Sequence, residues 1–383
     1  MDILGRKLFI QIIFVPFILS WLLITFAKSV SMIYAEIMIQ GISGGMSFCV
    51  ATYIAEICIP HHRGALLSVI EIMYSLGILL SNILMYYFKW NLVAAFFVAI
   101  SVFGLLMTVL LPESPVWLYS KGKHDKSIAV LRDLRCKELH ELDPEIRQME
   151  ISCSQTFKTC SKETFRNCLK AWKPFVILST MFIILLSTGY PIMLAFTVTI
   201  VDRLNIPYES STIAVLFAVS IFTGSLTTPY FMHTFGRKMV LAISGLGMAV
   251  SMVIVALYEE LAQDNSWSCI VPLALFVYIF ACIIGVLPVG FVMGGELFPL
   301  EVRGVMNGLY GAAGYVYSSA MMKAYPRFSS LLGIKSILWM FAGFSLLAAL
   351  FGIFILPETK GKSLNEVQEK YFKKNKKSDV ESA

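Results

Sequence analysis

Charge is what this chain has least of. Its 383 residues hold 31 Lys and Arg and 25 Asp and Glu, and stretches such as 8–27 and 90–111 hold none. A water-soluble domain needs a charged surface. With 57% hydrophobic residues and a mean hydropathy of +0.74, this chain could not cover its apolar area in water. Two-residue alternation is missing from the apolar segments, which argues against a β-barrel. A disulfide framework is also missing. Cys153, Cys160 and Cys168 fall in one polar loop, too loosely spaced and without a fourth ligand for zinc. Cys49, Cys58 and Cys282 read as small apolar residues in helices, and Cys136 and Cys269 carry no signal. No nucleophile–base set, phosphate loop or metal-ligand cluster is found, so the reading is not an enzyme and calls for no cofactor. The net charge of +6 is spread along the chain and does not indicate a nucleic-acid partner.

What is present is a series of apolar runs of about twenty residues, the length that crosses a bilayer core as a helix. They fall near 8–27, 32–57, 65–88, 91–111, 174–201, 210–231, 239–258, 270–294, 304–323 and 334–356. The expectation is an all-α membrane protein with the lipid bilayer as its solvent. If the runs alternate from a cytoplasmic start, 25 of the 31 Lys and Arg lie inside, and the short loops and tail alone divide 13 to 6. Positively charged loops stay inside, so both termini and the loop 112–172 are expected in the cytoplasm. Residues 8–27 are long enough to span, and no small-residue cleavage site marks them as a removable signal.

Three signatures occur twice, in the same order. Gly5-Arg6-Lys7 returns as Gly236-Arg237-Lys238. Glu56, followed six residues on by Arg63-Gly64, returns as Glu296 with Arg303-Gly304. Pro112-Glu113-Ser114 returns as Pro357-Glu358-Thr359. Each copy sits at a cytoplasmic helix end, which predicts two homologous halves related by an axis along the membrane normal. The second half has two spans before its Gly-Arg-Lys and the first has none. The reading is therefore a twelve-span plan whose first two helices are absent, leaving 4 + 6 transmembrane helices. The expected parts are 1–111 as the remnant of an N-terminal bundle (spans 3–6), 112–172 as a cytoplasmic helical loop, 173–356 as a C-terminal six-helix bundle and 357–383 as a cytoplasmic tail. In the loop, Ile128, Leu131 and Leu134 recur at helical spacing with charge between them, as on an amphipathic surface helix.

These motifs, together with Tyr53 three residues before Glu56 and the runs Pro112-Glu113-Ser114-Pro115-Val116-Trp117-Leu118 and Pro357-Glu358-Thr359-Lys360-Gly361, resemble the sugar porter family of the major facilitator superfamily. The general tone is similar to arthropod facilitated trehalose transporters. The resemblance implies two helical bundles around a solute cavity that opens to each side in turn. It implies that Arg6, Lys7, Glu56, Arg63, Arg237, Lys238, Glu296 and Arg303 form a cytoplasmic gate, whose ion pairs tie the halves together in one state and break in the other. His233 stands where the family has an acid, which predicts a weaker second cluster.

In the cavity the chain departs from the family. The paired glutamines of the seventh span fall on Leu185 and Leu186, a following asparagine on Pro191, and the eleventh-span asparagine on Gly314. The tenth-span tryptophan falls on Phe291, an eleventh-span aromatic is kept as Tyr315, and the fifth-span glutamine falls on Glu71. Glu71, Ser75 and Asn82 share one helix face, a polar stripe in a membrane helix that marks a functional candidate. With Tyr190, Phe291 and Tyr315 they form the expected substrate-binding set. Gly189-Tyr190-Pro191 and Gly285-x-x-Pro288 predict broken or bent helices, which serve either a flexing cavity or helix packing. The expected function is facilitated transport of a small solute, trehalose or a hexose, by alternating access, at the plasma membrane and without an obligate protein partner. The alternatives are a truncated or non-transporting protein, such as a sensor or inactive product, and a carrier of a non-sugar solute. The chain as written, without two helices, is expected to transport poorly.

Overall fold

The computed structural model describes residues 4–59, 63–135, 142, 145–147, 149, 172–204, 206–261, 268–298 and 302–360; side chains 48, 63–65, 67, 303 and 304 fall outside that description. Among the described residues, all regular structure is helical. The chain divides into two compact units, Met1–Tyr74 with Ile83–Thr159, and Ser75–Asn82 with Cys160–Ala383.

The first unit contains α1 (Arg6–Thr25), α2 (Val30–Met46), α3 (Phe48–Ile57), most of α4 (Arg63–Tyr87), α5 (Trp90–Thr108), α6 (Pro115–Ser120) and α7 (His124–Arg135). Apolar side chains make up most of the exposed surface of α1, α2, α4 and α5, as expected of helices solvated by lipid. Lipid tails are as apolar as leucine, so close packing must bring such helices together. The α1–α5 contact shows how: the ring of Phe14 lies against Gly104, where a Cβ would come within 2.7 Å of it, and Trp21 stacks on Phe97 at 4.8 Å. The predicted loop helix is present as α7. Its Leu131 is buried with Leu142 and Met149, and Val116 and Ile146 pack around them.

The second unit holds α8 (Trp172–Ser187), α9 (Tyr190–Ala195), α10 (Thr197–Arg203), α11 (Ser210–Leu261), α12 (Ile270–Ala281), one π-helical turn (Cys282–Val286), α13 (Leu287–Leu297) and α14 (Arg303–Phe354). Both α11 and α14 have 52 residues, about 78 Å at 1.5 Å per residue, against a bilayer core of about 30 Å. Each is kinked at a glycine with non-helical backbone, Gly236 (φ 80°) and Gly333 (φ 76°). Among the described residues, eight helical segments are long and apolar enough to span. With α11 and α14 divided at their kinks, they supply ten crossing lengths, four in the first unit and six in the second. Helices in the second unit have more neighbours to pack against. Its spans are 50–61% buried, against 6–18% in the first unit.

The two breaks read from glycine and proline are both present. Gly189 adopts φ 92° between α8 and α9. The π turn contains Gly285 and precedes Pro288. A widened turn frees backbone groups that lipid cannot satisfy, and hydroxyls of α11 take them up. Ser244 Oγ donates to the Ala281 carbonyl (2.5 Å) and accepts from the Val286 N–H (3.0 Å), and Thr228 donates to the Ile283 carbonyl (3.0 Å). Higher on the same pair, Ser220 donates to the Phe276 carbonyl (2.7 Å).

Candidate functional site

The duplicated signatures converge into one cluster per unit. In the first, the Arg6 side chain forks onto Glu56: Nη2 donates to Oε1 (2.9 Å) and Nε to Oε2 (3.0 Å), while Ser114 Oγ also donates to Oε2. Glu113 does different work. Its Oε1 accepts the backbone N–H groups of Arg6 (2.8 Å) and Lys7 (3.1 Å). A helix leaves its first N–H groups unpaired and carries partial positive charge there, and a carboxylate from a distant segment answers both. Tyr53 Oη donates to the Pro112 carbonyl (2.7 Å), which fixes the segment carrying Glu113 against α3.

The second cluster repeats the design. Arg237 Nη2 donates to Glu296 Oε1 (2.7 Å), and Thr359 Oγ1 donates to Glu296 Oε2 (2.5 Å). Glu358 accepts the N–H groups of Arg237 (3.3 Å) and Lys238 (3.1 Å). The reason for the repeated glycine is now physical. Gly5 (φ 97°) and Gly236 take left-handed backbone, and a Cβ there would lie 2.5 Å from Glu113 Oε2 and 2.9 Å from Glu358 Oε2. No side chain fits between the capping carboxylate and the helix it caps.

The clusters are not equal. Arg6 makes a two-pronged pair, whereas Arg237 uses one prong and its buried Nε finds no partner. In each cluster the described ion pair joins residues of one unit. Lys7 Nζ donates to the Val109 carbonyl (2.9 Å), within the first unit. The side chains of Arg63 and Arg303 lie outside the described residues. Glu113, Ser114, Glu358 and Thr359 were in the repeat, but nothing in the sequence assigned them a partner.

The substrate-binding candidates are distributed differently. Glu71 is exposed on α4. Ser75, one turn on, is buried and shares a hydrogen bond with Ser225 (2.7 Å) inside the second unit. Asn82 donates to the Ile78 carbonyl of its own helix (2.9 Å). Tyr190 is buried, while Phe291 and Tyr315 expose 47% and 57% of their surface. Phe182 links the latter two helices. Its ring meets Phe291 edge-on (5.9 Å between centroids), lies against Tyr310 (4.8 Å) and covers Gly314, where a Cβ would collide with it. The missing asparagine at Gly314 is thus explained by the ring that fills its place. Leu185 and Leu186 are buried in the apolar core. The polar groups that remain nearby are hydroxyls: Ser187 Oγ pairs with Tyr317 Oη (2.6 Å), and Tyr278 Oη donates to the Thr188 carbonyl (2.8 Å). Ser187, Tyr310 and Tyr317 were missed in the sequence; the serine–threonine pair before the Gly189 break was the available signal.

Two helical units of four and six crossing lengths, each closed by the same arginine–glutamate–hydroxyl cluster, define a membrane carrier of the major facilitator fold. The chain belongs to the sugar transporter family, whose profile, described as "Sugar (and other) transporter", matches residues 1–371. It is an integral, multi-pass membrane protein of a carrier family and not an enzyme. It is 29% identical to the facilitated trehalose transporter Tret1 of Bombyx mori over 96% of this chain and 74% of that protein. It is 29% identical to the protein of the same name in Aedes aegypti, over 96% of this chain and 46% of that one. Among solved structures it resembles the inward-open xylose transporter XylE of E. coli, with a TM-score of 0.77 and 21% identity over 96% of this chain and 83% of the other. A second XylE structure, a proton:xylose symporter bound to 6-bromo-6-deoxy-D-glucose, gives 0.73 and 22% over 94% and 82%. At these identities the structures support the fold alone.

Proposed function

We propose that the protein carries a small sugar, trehalose or a hexose, down its gradient across the plasma membrane by alternating access. The two clusters act as the cytoplasmic gate, and Glu71, Ser75, Asn82, Tyr190, Phe291 and Tyr315 form the solute-binding set. The observation that carries this reading is the aromatic cluster of buried Phe182 with the half-exposed ring of Phe291 and with Tyr310, where most of the family's amides are absent. Aromatic faces hold the apolar C–H face of a sugar ring, and the Glu71 carboxylate accepts its hydroxyls or carries a proton with it. The trehalose-transporter relatives support the substrate class. Sequence positions 1–111 serve as the first bundle, 112–172 as the cytoplasmic helical loop, 173–356 as the second bundle and 357–383 as the tail.

The test is uptake by the purified protein in proteoliposomes with labelled trehalose, glucose and a non-sugar control. Saturable but slow uptake of a sugar is expected, above that of the control. Tyr315→Ala should raise KM by about tenfold, the equivalent of losing one aromatic contact worth about 1.4 kcal/mol. Glu71→Gln should alter the pH dependence of uptake. Sugar uptake no greater than that of the control would sink the proposal.

A further inference from the structure

On the second unit, a cleft of about 670 Å³ opens between the first turns of α11 and those of α12. It begins at Tyr208 and Cys269, the residues just before or at the helix starts, and reaches Val219 and Phe276. Below that point the two helices are pinned together by the Ser220–Phe276 hydrogen bond, and Gly224 lets Ile283 approach to within 3.0 Å of where a Cβ would stand. The helices are therefore tight at mid-span and splayed at one end. From 208 to 219 the cleft runs about 16 Å along the helix axis, which is half the bilayer core or one leaflet. The chain crosses the membrane twice between 210 and 270, so both helices start at the same boundary. Tyr208 and Leu273 are exposed along the cleft.

We infer that this cleft is a binding site for a membrane sterol. Three features select a sterol over a phospholipid chain. The walls are stiff: Ile213 and Val219 are branched at Cβ, and Pro272 and Phe276 are rings. A rigid fused-ring body loses little conformational freedom there, whereas a flexible acyl chain loses a rotamer at every carbon. The lining is almost wholly apolar and uncharged, and Tyr208, Thr212 and Cys269 are its few residues with a polar group, which suits a ligand whose headgroup is a single hydroxyl. No described cation lines the cleft to meet a phosphate. Arg203 donates to Ser329, and the exposed sequence neighbour of Tyr208 is an acid, Glu209. The volume lies within the ordinary range of small-molecule sites, roughly 300–1,000 Å³.

The test is photolabelling of the full chain in liposomes with a diazirine-bearing cholesterol analogue, and in parallel with a diazirine-bearing phosphatidylcholine. Labelled peptides are mapped by mass spectrometry. The expected result is saturable sterol labelling of the segments 208–219 and 269–276 that unlabelled cholesterol competes away. Val219→Trp, which fills the deep end, should reduce it by about tenfold. Thr212→Val leaves the packing alone and should weaken it by about fivefold through one lost hydrogen bond. This milder variant decides the matter if the tryptophan variant fails to fold. Equal labelling by the phospholipid probe, labelling that cholesterol does not compete, or labelling indifferent to Thr212→Val would show an ordinary lipid-facing surface and overturn the assignment, as would no labelling at all.

Discussion

Glu56 and Glu296 occupy the same register of the repeat, yet their arginines hold them differently. A forked, charge-assisted pair is stronger and more directional than a single prong. Glu56 is held by the Arg6 fork and Ser114, and both its side chain and that of Arg6 are under 15% exposed; Glu296 receives one prong and Thr359. Glu56→Gln is therefore expected to destabilise the protein by about 2–3 kcal/mol, and Glu296→Gln by about 1 kcal/mol less. Thermal unfolding of the purified variants in detergent checks the order, and the reverse order would contradict the geometry. The spacing in the sequence was enough to mark these glutamates, because a charge repeated at the end of an apolar run stands out. The capping role of Glu113 and Glu358 could not be seen there. They act on backbone N–H groups, which every residue but proline carries, so no residue type in the sequence points to them as partners.

At the scale of elements, Arg135 joins a loop helix to a spanning helix. Its Nη1 donates to the Ile57 carbonyl (2.7 Å) at the end of α3, its Nη2 reaches the Cys58 carbonyl (3.4 Å), and its Nε pairs with Glu145. The last carbonyls of a helix have no partner within it, and a cation there also faces the negative end of the helix dipole. Arg135→Ala should loosen both elements, and amide hydrogen exchange at the end of α3 and along α7 should quicken by about tenfold, or about 1.4 kcal/mol of local stability. Unchanged exchange at α3 would show that the contact bears no load. The helices themselves were readily legible, since length and hydropathy determine where a chain crosses lipid. Their joints were legible in part. Glycine and proline announced the breaks at Gly189 and near Gly285, but the hydroxyls that stabilise the π turn sit on another helix, and only the fold brings Ser244 and Thr228 to it.

For the whole molecule, the distribution of Lys and Arg makes an orientation testable. The turn carrying Lys89 and the loop carrying Lys121 are separated by one crossing, α5, and both residues are exposed. With all eight native cysteines replaced, Lys121→Cys should react with a membrane-impermeant thiol reagent only in permeabilised cells, and Lys89→Cys in intact ones; labelling of both from the same side would overturn the arrangement. The two clusters also say something about time. Glu113 caps α1 from 107 positions downstream, and Glu358 caps the Arg237 amide from 121 positions downstream. A ribosome delivers residues in order, at about 5–20 per second. The bare amides must therefore wait several seconds in the nascent chain for the final crossing of their own half to arrive. Completion of the cluster coincides with completion of the half. A chain halted early would keep open N–H groups at the membrane edge, a mark by which unfinished copies differ from finished ones.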